Sequence, residues 1–143
     1  MTMLEDFLKD LAPLVNLDCG TSNTAGVTPA AEIMKAHFES IGFTCELVDL
    51  GPTVGKGLLA RNKPEAGYYD VMMNAHLDTV FPEGTVAERP FKIEGDRVTG
   101  PGCADCKAGV IAILHALKAA RKEDLDRLAI AVCYNPDEEI SSL

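Results

Sequence analysis

Two short apolar runs, Tyr69 to Ala75 and Leu128 to Tyr134, constrain the fold of this chain more than any other feature. Each reads as a strand, and the first is apolar on both faces, the pattern of a strand with cover on each side of its sheet. Between and before them lie stretches of helical periodicity. Leu4, Phe7, Leu8, Leu11 and Val15 share one face, with Glu5, Asp6, Lys9 and Asp10 opposite. A second helix is expected to open at Thr28-Pro29, where a capping hydroxyl precedes a proline, to present Ile33, Met34, His37, Phe38 and Ile41, and to stop at Gly42. A third is expected from about Asp105 to Arg121, its broad apolar face built by Val110, Ile111, Ile113, Leu114 and Leu117. Shorter strand-like runs, Phe43 to Leu50 and Gly57 to Arg61, precede Tyr69. Phe91 to Glu94 and Arg97 to Thr99 form a hairpin around Gly95-Asp96. Helices alternating with apolar strands define an α/β layered fold with parallel strands in its sheet.

At 143 residues the chain is of single-domain size, and 47% hydrophobic with 24% charged residues is a globular composition. A net charge of −9 leaves no basic stripe to displace counterions, so nucleic acid is not an expected partner. The longest apolar run, Ala108 to Leu114, falls far short of the roughly 20 residues that span a bilayer. Glu5 and Asp6 inside the first apolar stretch do not suit a secretory signal, and no membrane partner and a cytoplasmic location are expected. The five cysteines are an odd count without the dense spacing of a disulfide scaffold, so free thiols are expected, with Cys19, Cys45 and Cys133 as small core residues.

Three segments carry candidate chemistry. The first is Asn74 to Val80, where His76 and Asp78 lie two apart. In extended backbone both project to one side, so Asp78 can accept the imidazole N–H and leave the other ring nitrogen for a metal. The second is the glycine-rich Gly100 to Gly109, in which Asp105 stands at the mouth of a helix. There a carboxylate either bridges two cations or simply caps the helix. The third is Asp137-Glu138-Glu139, directly after the second apolar run. If that segment is extended, neighbouring glutamates diverge, one to a metal and one to a proton-transfer role; the alternative is a solvated acidic loop. Carboxylates gathered beside a histidine repel one another unless a cation is present, and a shared metal site accounts for all three segments. Cys103-Ala104-Asp105-Cys106 also has the spacing of redox and zinc-ribbon motifs, but a ribbon needs a second cysteine pair. His37, on an apolar helix face, reads as a core histidine, and His115, beside the apolar stripe of its helix, as partly exposed.

His76-Leu77-Asp78-Thr79-Val80, the Gly100 to Gly109 stretch with Asp105 and Lys107, and Asp137-Glu138-Glu139 strongly resemble, in order and separation, segments of the zinc peptidase family. That family includes glutamate carboxypeptidase, aminoacylase, acetylornithine deacetylase and succinyl-diaminopimelate desuccinylase. Phe81 to Thr85 and Arg89-Pro90-Phe91 look closest to the glutamate carboxypeptidase branch. The resemblance implies a three-layer α/β fold, a mixed sheet flanked by helices, of which residues 1–143 form the N-terminal part of the catalytic domain, without the lid and dimerisation domain. It implies two zinc ions and a peptide or N-acyl amino acid substrate. His76 would bind one zinc with Asp78 orienting it, Asp105 would bridge both, and Glu139 would bind the second. Glu138 would take the proton of the attacking water and return it to the leaving amine. It also implies a cis Asp105-Cys106 peptide. With these segments alone each zinc has a terminal ligand and the shared Asp105, below the three usual at catalytic zinc. Weak zinc binding, negligible hydrolysis and self-association through uncovered sheet and helix surfaces are the consequences expected; a non-catalytic interaction module is the alternative. Thiol titration without reductant should count five free thiols, whereas a count of three would mean that a cysteine pair has closed.

Overall fold

A computed structural model describes residues 2–142. It contains α1 (Met3–Val15), α2 (Thr24–Ser40), β1 (Thr44–Val48), β2 (Gly57–Arg61), β3 (Val71–His76), α3 (Thr85–Glu88), β4 (Lys92–Glu94), β5 (Arg97–Thr99), α4 (Ala108–Ala119), α5 (Lys122–Arg127) and β6 (Ile130–Asn135). Four strands form a mixed sheet in the order β1-β2-β6-β3, with β4 and β5 as a separate hairpin. β1, β2 and β6 pair antiparallel, while β3 runs parallel to β6, with Val71 opposite Ile130 and His76 opposite Asn135. The α/β class with a mixed sheet and flanking helices is therefore as expected.

The core lies where one face of this sheet meets the helices. Leu58, Ala60, Ile130, Val132 and Tyr134 pack with Leu11, Leu14 and Val15 of α1, Val27, Ala31, Met34 and Phe38 of α2, and Val110, Ile111 and Leu114 of α4. The Phe38 ring lies 5.6 Å from Phe43 and 5.8 Å from Tyr134, in the tilted arrangement that ring quadrupoles favour. Tyr134, buried, satisfies its hydroxyl by donating to the Val110 carbonyl at 2.8 Å, tying β6 to α4. Away from the core, Asp10 of α1 accepts from His115 and Lys118 of α4, each at 2.9 Å, and Phe7 packs on the His115 ring. His115 is thus half-buried and engaged in holding two helices together.

Four expectations are corrected. The Tyr69 run is not covered on both sides: alternate residues of β3 face the core, while Met72 is 67% exposed and Asn74 is exposed. The helix layer meets only the face that carries Val71, Met73 and Ala75, so an apolar sequence here marks a sheet face without cover in these residues. Helix α2 begins a turn before Thr28, because Asn23 caps it by accepting from Gly26 N–H; Thr28 Oγ1 instead accepts the Lys56 N–H. Pro29 lies inside α2. Helix α4 starts at Ala108 rather than at Asp105, after a wide π-type turn over Cys103–Lys107. Cys45 and Cys133 are half-buried, and only Cys19 is a true core cysteine; all five are free. The short helices α3 and α5 lack the long apolar periodicity that marks α1. No described helix is long and apolar enough to cross a membrane.

Tyr134→Phe should lower unfolding free energy by about 1 kcal/mol, read by urea denaturation at unchanged m. An unchanged midpoint would show that the Val110 bond contributes nothing net.

Candidate metal centre

Parallel pairing of β3 with β6 sets the carboxyl ends of the two strands side by side, so His76 and the turn after Asn135 emerge next to each other. That is the end of a parallel pair where α/β proteins bind ligands. His76 is buried, with its Nε2 2.9 Å from Asp105 Oδ1 and 3.8 Å from Glu138 Oε2. Its Nδ1 lies 3.1 Å from the Asp78 backbone oxygen and 3.3 Å from Asp78 Oδ1, so carbonyl and carboxylate of one residue share the orienting role expected of the side chain alone. The ring is held at Nδ1 and offers Nε2 to the acidic cluster.

Asp78 is fully buried. A carboxylate there requires donors on both oxygens, and it has them: Thr21 Oγ1 at 2.6 Å and Glu139 N–H at 3.1 Å on Oδ2, and Glu138 N–H at 3.1 Å on Oδ1. The sequence reading of Asp137-Glu138-Glu139 as an extended segment is corrected: it enters a 3₁₀ turn over Glu138–Ile140. The two glutamates still part company. Glu138 faces the cleft beside His76, Asp105 and Cys106, and Glu139 faces another, of about 490 Å³, with Thr21, Thr79 and Phe81. The acidic turn is therefore anchored through its amides, which a freely solvated loop would not be.

Asp105 sits in the π-type turn with φ −120° and ψ 101°, its carboxylate largely exposed toward His76. It caps no helix; the cap position of α4 is Lys107, without a side-chain cap. The Asp105-Cys106 peptide is cis, as the resemblance implied. Gly102, at φ +69°, makes the turn possible: a Cβ there would stand 2.5 Å from Thr79 Cγ2. Cys106 Sγ lies between the His76 N–H and carbonyl, 3.2 Å from each. Together with His76 and Asp105 it forms a set of donor atoms within 4.8 Å of one another. Burial pushes the Cys106 thiol up, away from a free reactive thiolate. His37 is half-buried on α2 and takes no part.

Of two further residues near the site, Lys107 entered the sequence reading only as part of the glycine-rich segment, without a role, and Thr21 not at all. Lys107 is almost fully buried and donates through Nζ to the Leu17 carbonyl at 3.1 Å, tying the Asp105 turn to the segment that leads to Thr21. Burial lowers its pKa, opposed by Cys19 and Asp18 nearby. Thr21 stands in a loop of small polar residues with no pattern to single it out.

The electrostatics fit a cation. Burial alone would depress the His76 pKa, but Asp105, Asp78 and Glu138 outweigh it and hold the imidazole above its ordinary value. The Glu139 carboxyl is pushed up by burial and by neighbouring Asp105, Asp78 and Glu138, against the pull of His76. The His76 nitrogen, the Asp105 carboxylate and the Cys106 sulfur, with Glu138 beside them, form a donor set able to hold a divalent cation. His76 and Asp105 meet directly. Glu139 senses their charge but stands outside the tight donor set.

Residues 72–143 match the sequence profile of peptidase family M20/M25/M40. Carboxypeptidase G2 of Pseudomonas sp. (strain RS-16) is 36% identical over 137 residues, which are 94% of this chain and 33% of that protein. A metallohydrolase of Methanocaldococcus jannaschii is 27% identical over 140 residues, 98% of this chain and 34% of its own length. Among solved structures, human carnosine dipeptidase 1 superposes with a TM-score of 0.80 at 18% identity, over 97% of this chain and 33% of its own. The Sulfolobus solfataricus M20 family metallo-carboxypeptidase Sso-CP2 gives 0.73 at 20%, over 100% of this chain and 32% of its own. The fold is thus the one these peptidase structures share over the matched part. The chain belongs to peptidase family M20 and spans about a third of the length of the relatives it matches.

Gly102→Ala should destabilise the fold by roughly 1–3 kcal/mol, because its positive φ and the Thr79 contact both resist a methyl group. Thermal unfolding checks this; an unshifted midpoint would mean the turn adapts freely.

Proposed function

We propose that this chain supplies the metal-binding and proton-transfer groups of an amide-hydrolysing zinc site of the glutamate carboxypeptidase type. The observation that carries this reading is the convergence of His76 Nε2 on Asp105 at 2.9 Å and Glu138 at 3.8 Å. In the proposal His76 and Glu139 would each help to hold a zinc ion, Asp105 would contribute to both, and Asp78 would orient His76. Bound zinc supplies positive charge that lowers the pKa of water and polarises an amide carbonyl. Glu138 accepts a proton from the attacking water at Oε2 and delivers it to the amide nitrogen. The C–O bond to water forms first, the C–N bond breaks once the nitrogen has taken the proton, and amide plus water becomes acid plus amine. The substrate is a peptide or N-acyl amino acid. The cleft beside Glu139, with Thr79, Phe81 and Ile140 on its walls, is the proposed place for one end of it.

Two protein ligands per ion are fewer than the three usual at catalytic zinc. A polypeptide of these 143 residues is therefore expected to bind zinc weakly and to hydrolyse peptides no faster than background. Calorimetric zinc titration should lose its signal in His76→Ala and Asp105→Asn. Equal binding by both variants and the parent would overturn the assignment, and chelator-sensitive peptidase turnover by the parent would overturn the expected inactivity.

A second reading is supported by the sheet face that carries Met72 and Asn74. Apolar surface of this kind drives association, and the polypeptide is proposed to pair with copies of itself there. Light scattering should give a mass that rises with concentration and falls back in Met72→Glu. One chain mass throughout would refute self-association.

A further inference from the structure

We infer that Thr21 is a positioning residue of the metal centre: the hydroxyl it donates to Asp78 fixes the carboxylate that orients His76 and carries the amides of Glu138 and Glu139. The inference rests on the proposed metal site for its consequence in binding, but its geometry stands apart from any ion. Asp78, fully buried and acceptor-only, receives the Thr21 hydroxyl at 2.6 Å, shorter than either amide contact at 3.1 Å. An O–H···O⁻ bond of that length is charge-assisted and directional. It is also the only side-chain hydroxyl on this carboxylate among the described residues, and it comes from a segment 57 residues away in sequence.

The place of Thr21 does not depend on that hydroxyl. Its N–H donates to the Thr79 carbonyl at 3.3 Å, and the Thr79 N–H donates to the Cys19 carbonyl at 2.8 Å. Gly20 approaches so closely that a Cβ would stand 2.4 Å from the Phe81 oxygen. The backbone over 19–21 is thus fastened to 79–81 through main-chain bonds, and Thr21 is 8% exposed at the wall of the cleft that Glu139 shares. Replacing the hydroxyl by a methyl group leaves this frame in place and takes one donor from Asp78 Oδ2. The carboxylate then turns more freely, and both partners it holds, the imidazole at Oδ1 and the acidic turn at both oxygens, lose their fixed orientation. Outer partners of this kind typically change metal affinity about 10- to 100-fold without touching the ion.

The test compares the parent chain with Thr21→Val, Thr21→Ala and Thr21→Ser, using Co(II) alone as the metal probe and amide hydrogen exchange at Glu138 and Glu139 as the metal-free probe. Thr21→Val and Thr21→Ala should weaken Co(II) binding about tenfold or more. Both should speed exchange of the two amides, with exchange in β2 and β6 unchanged. Thr21→Ser should restore binding to within about threefold of the parent, along with amide protection. If Thr21→Val fails to fold, Thr21→Ala, which adds no bulk, decides. Parent-like exchange at both amides together with parent-like Co(II) affinity in the folded hydroxyl-free variant would overturn the inference. If the parent takes up no Co(II), the metal reading falls by itself, and amide exchange alone decides whether Thr21 holds Asp78.

Discussion

A carboxylate with no access to water must be surrounded by donors, and the structure around this site is organised by that requirement at Asp78. Its donors come from the loop after α1, from the turn after β6 and from the imidazole two residues before it. Three stretches far apart in sequence are thus held to a single side chain. Removing the charge would release the hydroxyl, the two amides and the imidazole together, so local stability and the geometry of the acidic cluster are the same physical problem.

Two further constraints bring the cluster within reach of one another. Parallel pairing of β3 with β6 aligns His76 with Asn135, so whatever follows both strands is gathered at one end of the sheet. The glycine-permitted turn at Gly102 and the buried Lys107, tied to Leu17, then press the Asp105 segment against that end. In the resulting acidic pocket the carboxylates hold the His76 pKa up against burial, while burial first and the neighbouring carboxylates second raise that of Glu139. Under the proposed function such crowding is tolerated because cations would offset it. The matched relatives are about three times as long as this chain, and the sheet face bearing Met72 is open in the residues described here.

Much of this was legible from residues alone. The apolar periodicity of Leu4 to Val15, the two strand runs and the Gly95-Asp96 turn identified elements whose local chemistry favours one conformation. His76, Asp78, Asp105, Glu138 and Glu139 were visible because they stand in short segments with distinctive spacing. Asn23 and Thr28 are both competent caps for α2, and in the fold Asn23 is held by donating to the Asp18 carbonyl while Thr28 accepts from the distant Lys56 N–H. Thr21 itself, and the structural role of Lys107, were hidden for a different reason: their partners lie 57 and 90 residues away, and a lone threonine or lysine carries no periodic signal.

What the sequence determined by itself was the inventory: an acidic α/β chain, its helix and strand periods, and the residue types able to hold a metal. Those follow from side-chain chemistry and local backbone preference, which need only near neighbours. Tertiary structure decided which strand face stays open, which carbonyl and carboxylate share the His76 ring, and which distant hydroxyl completes the shell of Asp78. Each of those depends on the free energy of burying groups against partners remote in the chain, and no local pattern encodes that balance.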